Sequence, residues 1–201
     1  TGPDGLPHLV DVPHTWNNLD GQDGGNDYWR GTCAYKKTFP KPDFGAEERV
    51  YLEFRGVNAS AKVELNGALV GTHDGGYSTF RWDVTDLLKA ENALTVHADN
   101  SRNDRVYPQK ADFTFYGGIY RDVNLIIVSK YHFDMDHFGG PGIKVTAKPT
   151  ENYTCSEIVV ETWRNCDTGQ VHIAILDAEG KEAGSADMPS VKLSLPNVRL
   201  W

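Results

Sequence analysis

Several things are scarce in this 201-residue chain, and each scarcity excludes a class of protein. No apolar run approaches the ~20 residues that a membrane-spanning helix needs, so a helical membrane role is excluded. Positive charge is short: 20 Lys and Arg stand against 28 Asp and Glu, a formal net charge of −8. Such a chain lacks the basic footprint that attracts phosphates, which excludes nucleic acid as the expected partner. Cysteine is limited to Cys33, Cys155 and Cys166, with no C-x-x-C spacing, so a zinc ribbon or a thioredoxin-type site is not supported. If the segment between Cys155 and Cys166 is extended, the two lie roughly 35 Å apart at about 3.3 Å per residue. A disulfide needs Cα atoms within about 7 Å, so three free thiols are expected. Residues 1–20 have no apolar stretch behind positive charge, and no signal peptide is expected there. Helical periodicity is also missing. Nowhere does a 3.6-residue apolar repeat persist beyond two turns, which argues against a parallel α/β sheet with helices between its strands.

What is present points to strands. The chain has 20 Gly, 10 Pro, 5 Trp and 9 Tyr, a turn-rich and aromatic-rich profile suited to an all-β sandwich. Aromatic rings pack cores first, and surplus rings suit the C–H faces of sugars. Thr1 to Arg30 reads as a long irregular lead-in dense in Gly, Pro, Asp and Asn. Alternation then starts, with Cys33, Tyr35, Lys37 and Phe39 on one strand face before Pro40 and Pro42. Further alternating runs hold Val50, Leu52 and Phe54; Ala61, Val63 and Leu65; Leu94, Val96 and Ala98; and Val123, Leu125 and Ile127. Asn66-Gly67 predicts a type I′ hairpin. Asp83 to Lys89 predicts a single helical turn. Gly139-Gly140-Pro141-Gly142 breaks the pattern, and short alternating runs resume at Ile143, Ile158, Val171 and Val191. The expected organisation is a sandwich over 1–129, a linker over 130–142 and a second, incomplete sandwich over 143–201. An immunoglobulin-like sandwich needs about seven strands and ~100 residues, more than that last stretch provides.

The chemical motifs are weak when read singly. His132-Phe-Asp-Met-Asp-His137 holds four metal-ligand types, yet strand geometry turns His137 away from the other three, and a solvated linker is the expectation. Asp20 to Asp27 is acidic without the spacing of an EF-hand loop. Asn58-Ala-Ser60 and Asn152-Tyr-Thr154 fit the loose glycosylation pattern, which occurs often by chance. No G-x-S-x-G, P-loop or H-E-x-x-H occurs. No metal site and no cofactor are expected.

Read together and in order, four segments say more. They are Val57-Asn-Ala-Ser-Ala-Lys-Val-Glu-Leu-Asn-Gly67, Gly75-Gly-Tyr-Ser-Thr-Phe80, Asp83-Val-Thr-Asp-Leu-Leu88 and Asp112-Phe-Thr-Phe-Tyr-Gly-Gly-Ile-Tyr-Arg-Asp-Val123. This ordered set resembles the N-terminal region of family 2 glycoside hydrolases, the β-galactosidase and β-glucuronidase group. Val12-Pro-His-Thr-Trp16 and Tyr35-Lys-Lys-Thr-Phe39 resemble that family's opening. The resemblance implies a jelly-roll, galactose-binding-like sandwich followed by an immunoglobulin-like sandwich. It implies a downstream TIM barrel as partner, holding both catalytic Glu residues, so no catalytic residue is expected in this chain. The chemistry implied is retaining hydrolysis of a terminal O-glycosidic bond, most closely that of a β-galactosidase, by a nucleophilic and an acid/base Glu. Asp112 holds the place of the family's Asp that contacts hydroxyls of the terminal sugar. An ionised carboxylate accepts from two vicinal hydroxyls, which suits that task. Asn26, in the loop before Arg30, is the second candidate for sugar contact. Two alternatives stay open. One is a self-standing carbohydrate-binding module with Trp16, Trp29 or Trp82 as platform; the other is a structural or oligomerisation domain. The compartment, whether cytoplasmic, periplasmic or secreted, stays open as well.

Overall fold

The computed structural model describes residues 1–20, 28–107 and 114–198. The chain is all-β and divides into two compact units, Thr1–Lys130 and Tyr131–Trp201.

In the first unit, seven strands are found among the described residues. They are β1 (Thr32–Pro40), β2 (Glu48–Phe54), β3 (Ser60–Leu65), β4 (Ala68–Asp74), β5 (Phe80–Asp83), β6 (Glu91–Asp99) and β7 (Val123–Ser129). They form a four-stranded sheet, β1-β6-β3-β4, and a three-stranded sheet, β5-β2-β7. Every pairing is antiparallel. Side chains alternate between faces along a strand, so each run contributes one set to the space between the sheets. Val50, Leu52 and Phe54 of β2 meet Ala61, Val63 and Leu65 of β3 and Leu94, Val96 and Ala98 of β6 in one buried cluster. Phe54 stacks on Phe80 at 5.1 Å between ring centroids, and Trp82 closes on both rings.

The turns follow the local chemistry. Asn66 and Gly67 adopt φ of 55° and 81°, the left-handed pair that a type I′ hairpin requires. The helical turn expected near Asp83 is a single 3-10 turn at Thr85–Leu87. Asp83 Oδ1 accepts from Thr85 N and Thr85 Oγ1 at 3.0 and 2.6 Å, and Thr85 Oγ1 accepts from Val50 N at 2.8 Å. On the outer face of the three-stranded sheet, Glu53 is buried. Burial alone would raise its pKa. Bonds from Asn124 (3.0 Å), Arg55 (3.1 Å) and Arg81 (2.6 Å) outweigh that and hold its carboxyl below the ordinary value.

The second unit contains β8 (Ile143–Pro149), β9 (Cys155–Thr162), β10 (Ile173–Leu176), β11 (Glu182–Ala186) and β12 (Ser190–Pro196). They form a three-stranded sheet, β12-β9-β8, and a two-stranded one, β10-β11. Val160, Val171 and Ile173 form its buried cluster, with Ile158, Ile175 and Val191 packed around it. β11 had no signal in the sequence, because Glu-Ala-Gly-Ser-Ala carries no large apolar residue. Residues 131–142 belong to this unit. Asp134 N donates to Trp163 O at 2.8 Å, Trp163 N donates to Gly142 O at 2.7 Å, and His137 stacks on Trp163 at 3.7 Å. Gly142 has φ of 69°, and a Cβ there would stand 2.6 Å from Asp134 O. All three thiols are free.

Candidate carbohydrate-contact site

The two proposed sugar contacts, Asn26 and Asp112, lie in 21–27 and 108–113, outside the described residues. Their described flanks converge at one end of the first sandwich, on two buried asparagines. Asn17 Nδ2 donates to Asp20 Oδ2 (2.8 Å) and Trp29 O (2.9 Å), while its Oδ1 accepts from Gly117 N (2.7 Å) and Asn100 Nδ2 (3.1 Å). Asp20 Oδ2 also accepts from Trp29 N at 3.1 Å, which ties together the two flanks of 21–27. Asn100 Oδ1 accepts from Gly31 N at 2.9 Å, and its Nδ2 reaches Trp29 O (3.3 Å) and Phe115 O (3.4 Å). Trp29 and Gly31 follow the first segment and Phe115 follows the second. One amide group therefore gathers both flanks.

This end is tightly built. Thr15 Oγ1 donates to Gly117 O at 2.8 Å, and His14 N donates to Ile119 O at 2.7 Å. Asn58 Nδ2 donates to Tyr116 O at 2.8 Å, which occupies the side chain of that glycosylation pattern. A Cβ on Gly117 would lie 2.2 Å from the Trp16 ring. Gly118 has φ of 128°, and a Cβ there would meet His14 O at 2.6 Å. Both glycines are thus demanded by close approach of the 14–17 segment. Trp16 packs edge-on to Trp29 at 5.9 Å and tilted against Tyr35 at 6.5 Å. Its Nε1 is buried with no partner among the described residues.

Outside this packed base, Arg30 lies 4.6 Å from the Tyr28 ring centroid and 5.8 Å from that of Phe115, and donates to the Tyr28 hydroxyl. His14 Nδ1 and the Tyr35 hydroxyl are 2.8 Å apart, with burial lowering the His14 pKa and raising that of Tyr35.

The tryptophans do not form a shared platform. Trp82 and Trp16 both pack against the core cluster, and Trp16 also meets Trp29 at the loop base. Asp122 approaches Arg55 at 3.7 Å, and Arg121 Nη1 donates to Tyr77 O at 3.2 Å, which are structural uses of both residues. Among the described residues no group of three or more His, Cys, Asp or Glu could hold a metal ion. Sequence reasoning missed Asn17 and Asn100. The available signal was position: Asn17 directly follows the Val12–Trp16 motif, and Asn100 directly follows the Leu94–Ala98 alternation and Asp99.

Residues 17–137 match the family model described as glycosyl hydrolase 2 galactose-binding domain-like. The chain belongs to the glycosyl hydrolase 2 family. It is 34% identical to a β-glucuronidase of Bacteroides fragilis over 96% of this chain and 30% of that protein. A β-galactosidase of Thermoanaerobacter pseudethanolicus is 32% identical over 65% of this chain and 18% of its own length. The crystal structure of an FMN-binding β-glucuronidase from Facaelibacterium prausnitzii L2-6 superposes with a TM-score of 0.89 at 41% identity, covering all of this chain and 33% of that one. The glycosyl hydrolase 2 chain described here thus spans about a third or less of the relatives it matches.

Proposed function

We propose that this chain is the non-catalytic, N-terminal part of a retaining exo-glycosidase and that it shapes the pocket for the terminal sugar of a β-glycoside. The catalytic Glu pair belongs to a TIM barrel elsewhere in the same polypeptide. Asp112 accepts hydrogen bonds from hydroxyls of the terminal sugar, and Asn26 adds a second contact. The observation that carries this reading is the Asn17–Asn100 pair, which brings the flanks of 21–27 and 108–113 to one place. A site built from two loops needs a rigid base, since a misplacement of about 1 Å at a reacting centre is costly.

For the sugar, the sequence resemblance favours a β-galactoside. A second reading, a β-glucuronide, is supported by the names of the B. fragilis protein and the F. prausnitzii structure. The deciding experiment assays the full-length enzyme on nitrophenyl β-galactoside and nitrophenyl β-glucuronide. The faster substrate assigns the sugar. Asp112→Ala should then lower kcat/KM by about one to two orders of magnitude, because a hydrogen bond to a charged group is worth roughly 1.5–3 kcal/mol. Full activity in the folded Asp112→Ala enzyme would remove the contact from the proposal. Turnover by the 201-residue chain alone, abolished by a point substitution within it, would overturn the non-catalytic assignment.

A further inference from the structure

At one end of the four-stranded sheet, β4, β3, β6 and β1 meet on a single polar row. Ser60 opposes both Asp74 and Asp99, and Thr32 opposes Asp99. Directly opposed residues of an antiparallel pair share a face. Their chain neighbours Ala61, Ala98 and Cys33 are buried in the sandwich, so the row stands on the outer face. Beyond Asp99 the chain leaves β6 as an arm, residues 100–107, and this arm leads into 108–113.

The row holds the arm at two points. At the root, Asp99 Oδ1 accepts from Ser101 N at 2.7 Å, while Thr32 Oγ1 donates to Asp99 Oδ2 at 2.7 Å. Further out, Asn103 Nδ2 donates to Ser60 Oγ at 2.9 Å and to Asp74 Oδ1 at 3.0 Å. Arg105 Nε donates to Asp74 Oδ2 at 2.6 Å, and its Nη2 to Asp74 Oδ1 at 3.3 Å. Ser60 Oγ adds a donation to Asp74 Oδ1 at 2.6 Å. Asn103 also shapes the arm itself, since its Oδ1 accepts from Arg105 N and its carbonyl from Val106 N, both at 3.0 Å. Val106 is then buried, at 4% exposure. One carboxylate at the end of β4 thus gathers both side chains that organise the arm. A groove of about 440 Å³ lies beside the row. Its two carboxylates, Asp74 and Asp99, are engaged by these bonds, which makes the groove a clamp and not a ligand site.

The consequence of this clamp is local. The Arg105 side chain is 73% exposed, and a surface ion pair adds little to global stability. What it fixes is the course of the chain. The far end of 108–113 is anchored by the asparagine pair, through Asn100 Nδ2 to Phe115 O and Gly117 N to Asn17 Oδ1. At the near end, the bonds of Asn103 and Arg105 to Asp74 are the matching anchor.

We propose that Asp74 is a positioning residue for the sugar contact of Asp112: through Asn103 and Arg105 it fixes the near end of 108–113. The proposal rests on the reading of Asp112 given above. With the clamp gone the arm samples further positions, and only molecules with the arm in place present Asp112 to the sugar. Arg105 and Ser60 hold the Asp74 carboxyl at about 2, so the clamp stays charged throughout the pH range of a glycosidase assay.

The test is a double-mutant cycle in the full-length enzyme, assayed on its faster nitrophenyl glycoside. Asp74→Ala should lower kcat/KM by about 3- to 10-fold, less than the loss from Asp112→Ala, and leave melting within a few degrees of the parent. Arg105→Ala, which opens the clamp without touching β4, should do the same. Asp74→Asn keeps an acceptor for Ser60 and Asn103 and should restore part of the activity. In the Asp112→Ala background, Asp74→Ala should lower kcat/KM by less than about twofold, because the contact that it positions is already gone. A full, additive loss in that background would overturn the proposal, as would unchanged activity of Asp74→Ala beside an impaired Asp112→Ala. In both of those outcomes the sugar contact itself stands. Full activity of Asp112→Ala would instead remove the contact and this proposal together. A second readout is independent of activity. In the 201-residue protein, Asp74→Ala should speed amide exchange at Arg105 and Val106 by at least about 10-fold while Val50 and Val96 keep their rates. Unchanged exchange at Arg105 and Val106 would show that Asp74 does not hold the arm, and the proposal would fall.

Discussion

The two units use the same strand periodicity to different effect. Among the described residues, thirteen apolar side chains form the buried cluster of the first unit and three form that of the second. In the first, two sheets face each other, so the inward set of each central strand is covered. In the second, Val145 of β8 alternates as a core residue should, yet it is 59% exposed. Period-two alternation therefore states which face of a strand is apolar. It does not state that anything covers that face. Since burial contributes roughly 25 cal/mol per Å² of apolar surface, the first unit should hold most of the folding free energy.

The largest expected effect tests that contrast. Phe54→Ala removes a fully buried ring from between β2, β5 and the opposite sheet and should cost about 3–5 kcal/mol. Val160→Ala, the matching change in the second unit, loses two methyl or methylene equivalents and should cost about 1–2 kcal/mol. Denaturant unfolding followed by hydrogen exchange in each unit measures both. β8 to β12 should also open before β2 and β7. A costlier Val160→Ala, or equal protection in both units, would break the comparison.

Next in size is the asparagine pair. Asn100→Ala removes the buried acceptor of Gly31 N and the Nδ2 bonds to Asn17, Trp29 and Phe115, although Asn17 Oδ1 keeps Gly117 N and Trp29 O keeps Asn17 Nδ2. At about 1–3 kcal/mol for such a loss, the first unit should be destabilised by roughly 2–3 kcal/mol. Asn165→Ala is the contrast in the second unit. Its Oδ1 accepts from His132 N at 3.0 Å on an exposed surface, and the change should stay within about 0.5 kcal/mol. Thermal melts of the two variants give the ranking. Equal losses would show that water replaces the buried bonds of Asn100 as readily as the exposed one of Asn165.

Most strands of the first unit were legible because alternation ends at a clear stop, such as Pro40 or Asn66-Gly67; the four-residue β5 was not. β11 was not, because its pairing to β10 is held by backbone bonds beneath small residues. The base beneath the proposed site was not legible. Asp112, outside the described residues, was proposed from an ordered motif, which is a matter of family likeness and not of physics. Asn17 and Asn100 stand 83 positions apart, and their side chains meet only after the sandwich has formed. No local pattern announces a hydrogen bond of that span. The exposure of β7 was missed for a related reason. Leu125 and Ile127 read as core from alternation, yet they are 37% and 40% exposed on a strand that ends its sheet.

The smallest expected effect concerns pH. His14 and His73 both have pKa values lowered by burial in the first unit, and His73 stacks on Phe80 at 4.1 Å. The unfolded chain takes up protons at these two side chains near pH 6.5, while the folded unit resists until lower pH. Their neutral forms are therefore accommodated at no cost above pH 6.5, and stability falls as pH drops from there toward the lowered folded values. Asp74 cannot oppose this, because its carboxyl is held at about 2, chiefly by Arg105 and Ser60, and its contribution is lost only below pH 3.8. The unfolding midpoint of the first unit should thus decline between pH 7 and 5. Replacing both histidines, His14→Gln with His73→Gln, should flatten that decline even if it lowers stability at every pH. A slope unchanged in the double variant would mean that other groups set the acid sensitivity of the sandwich.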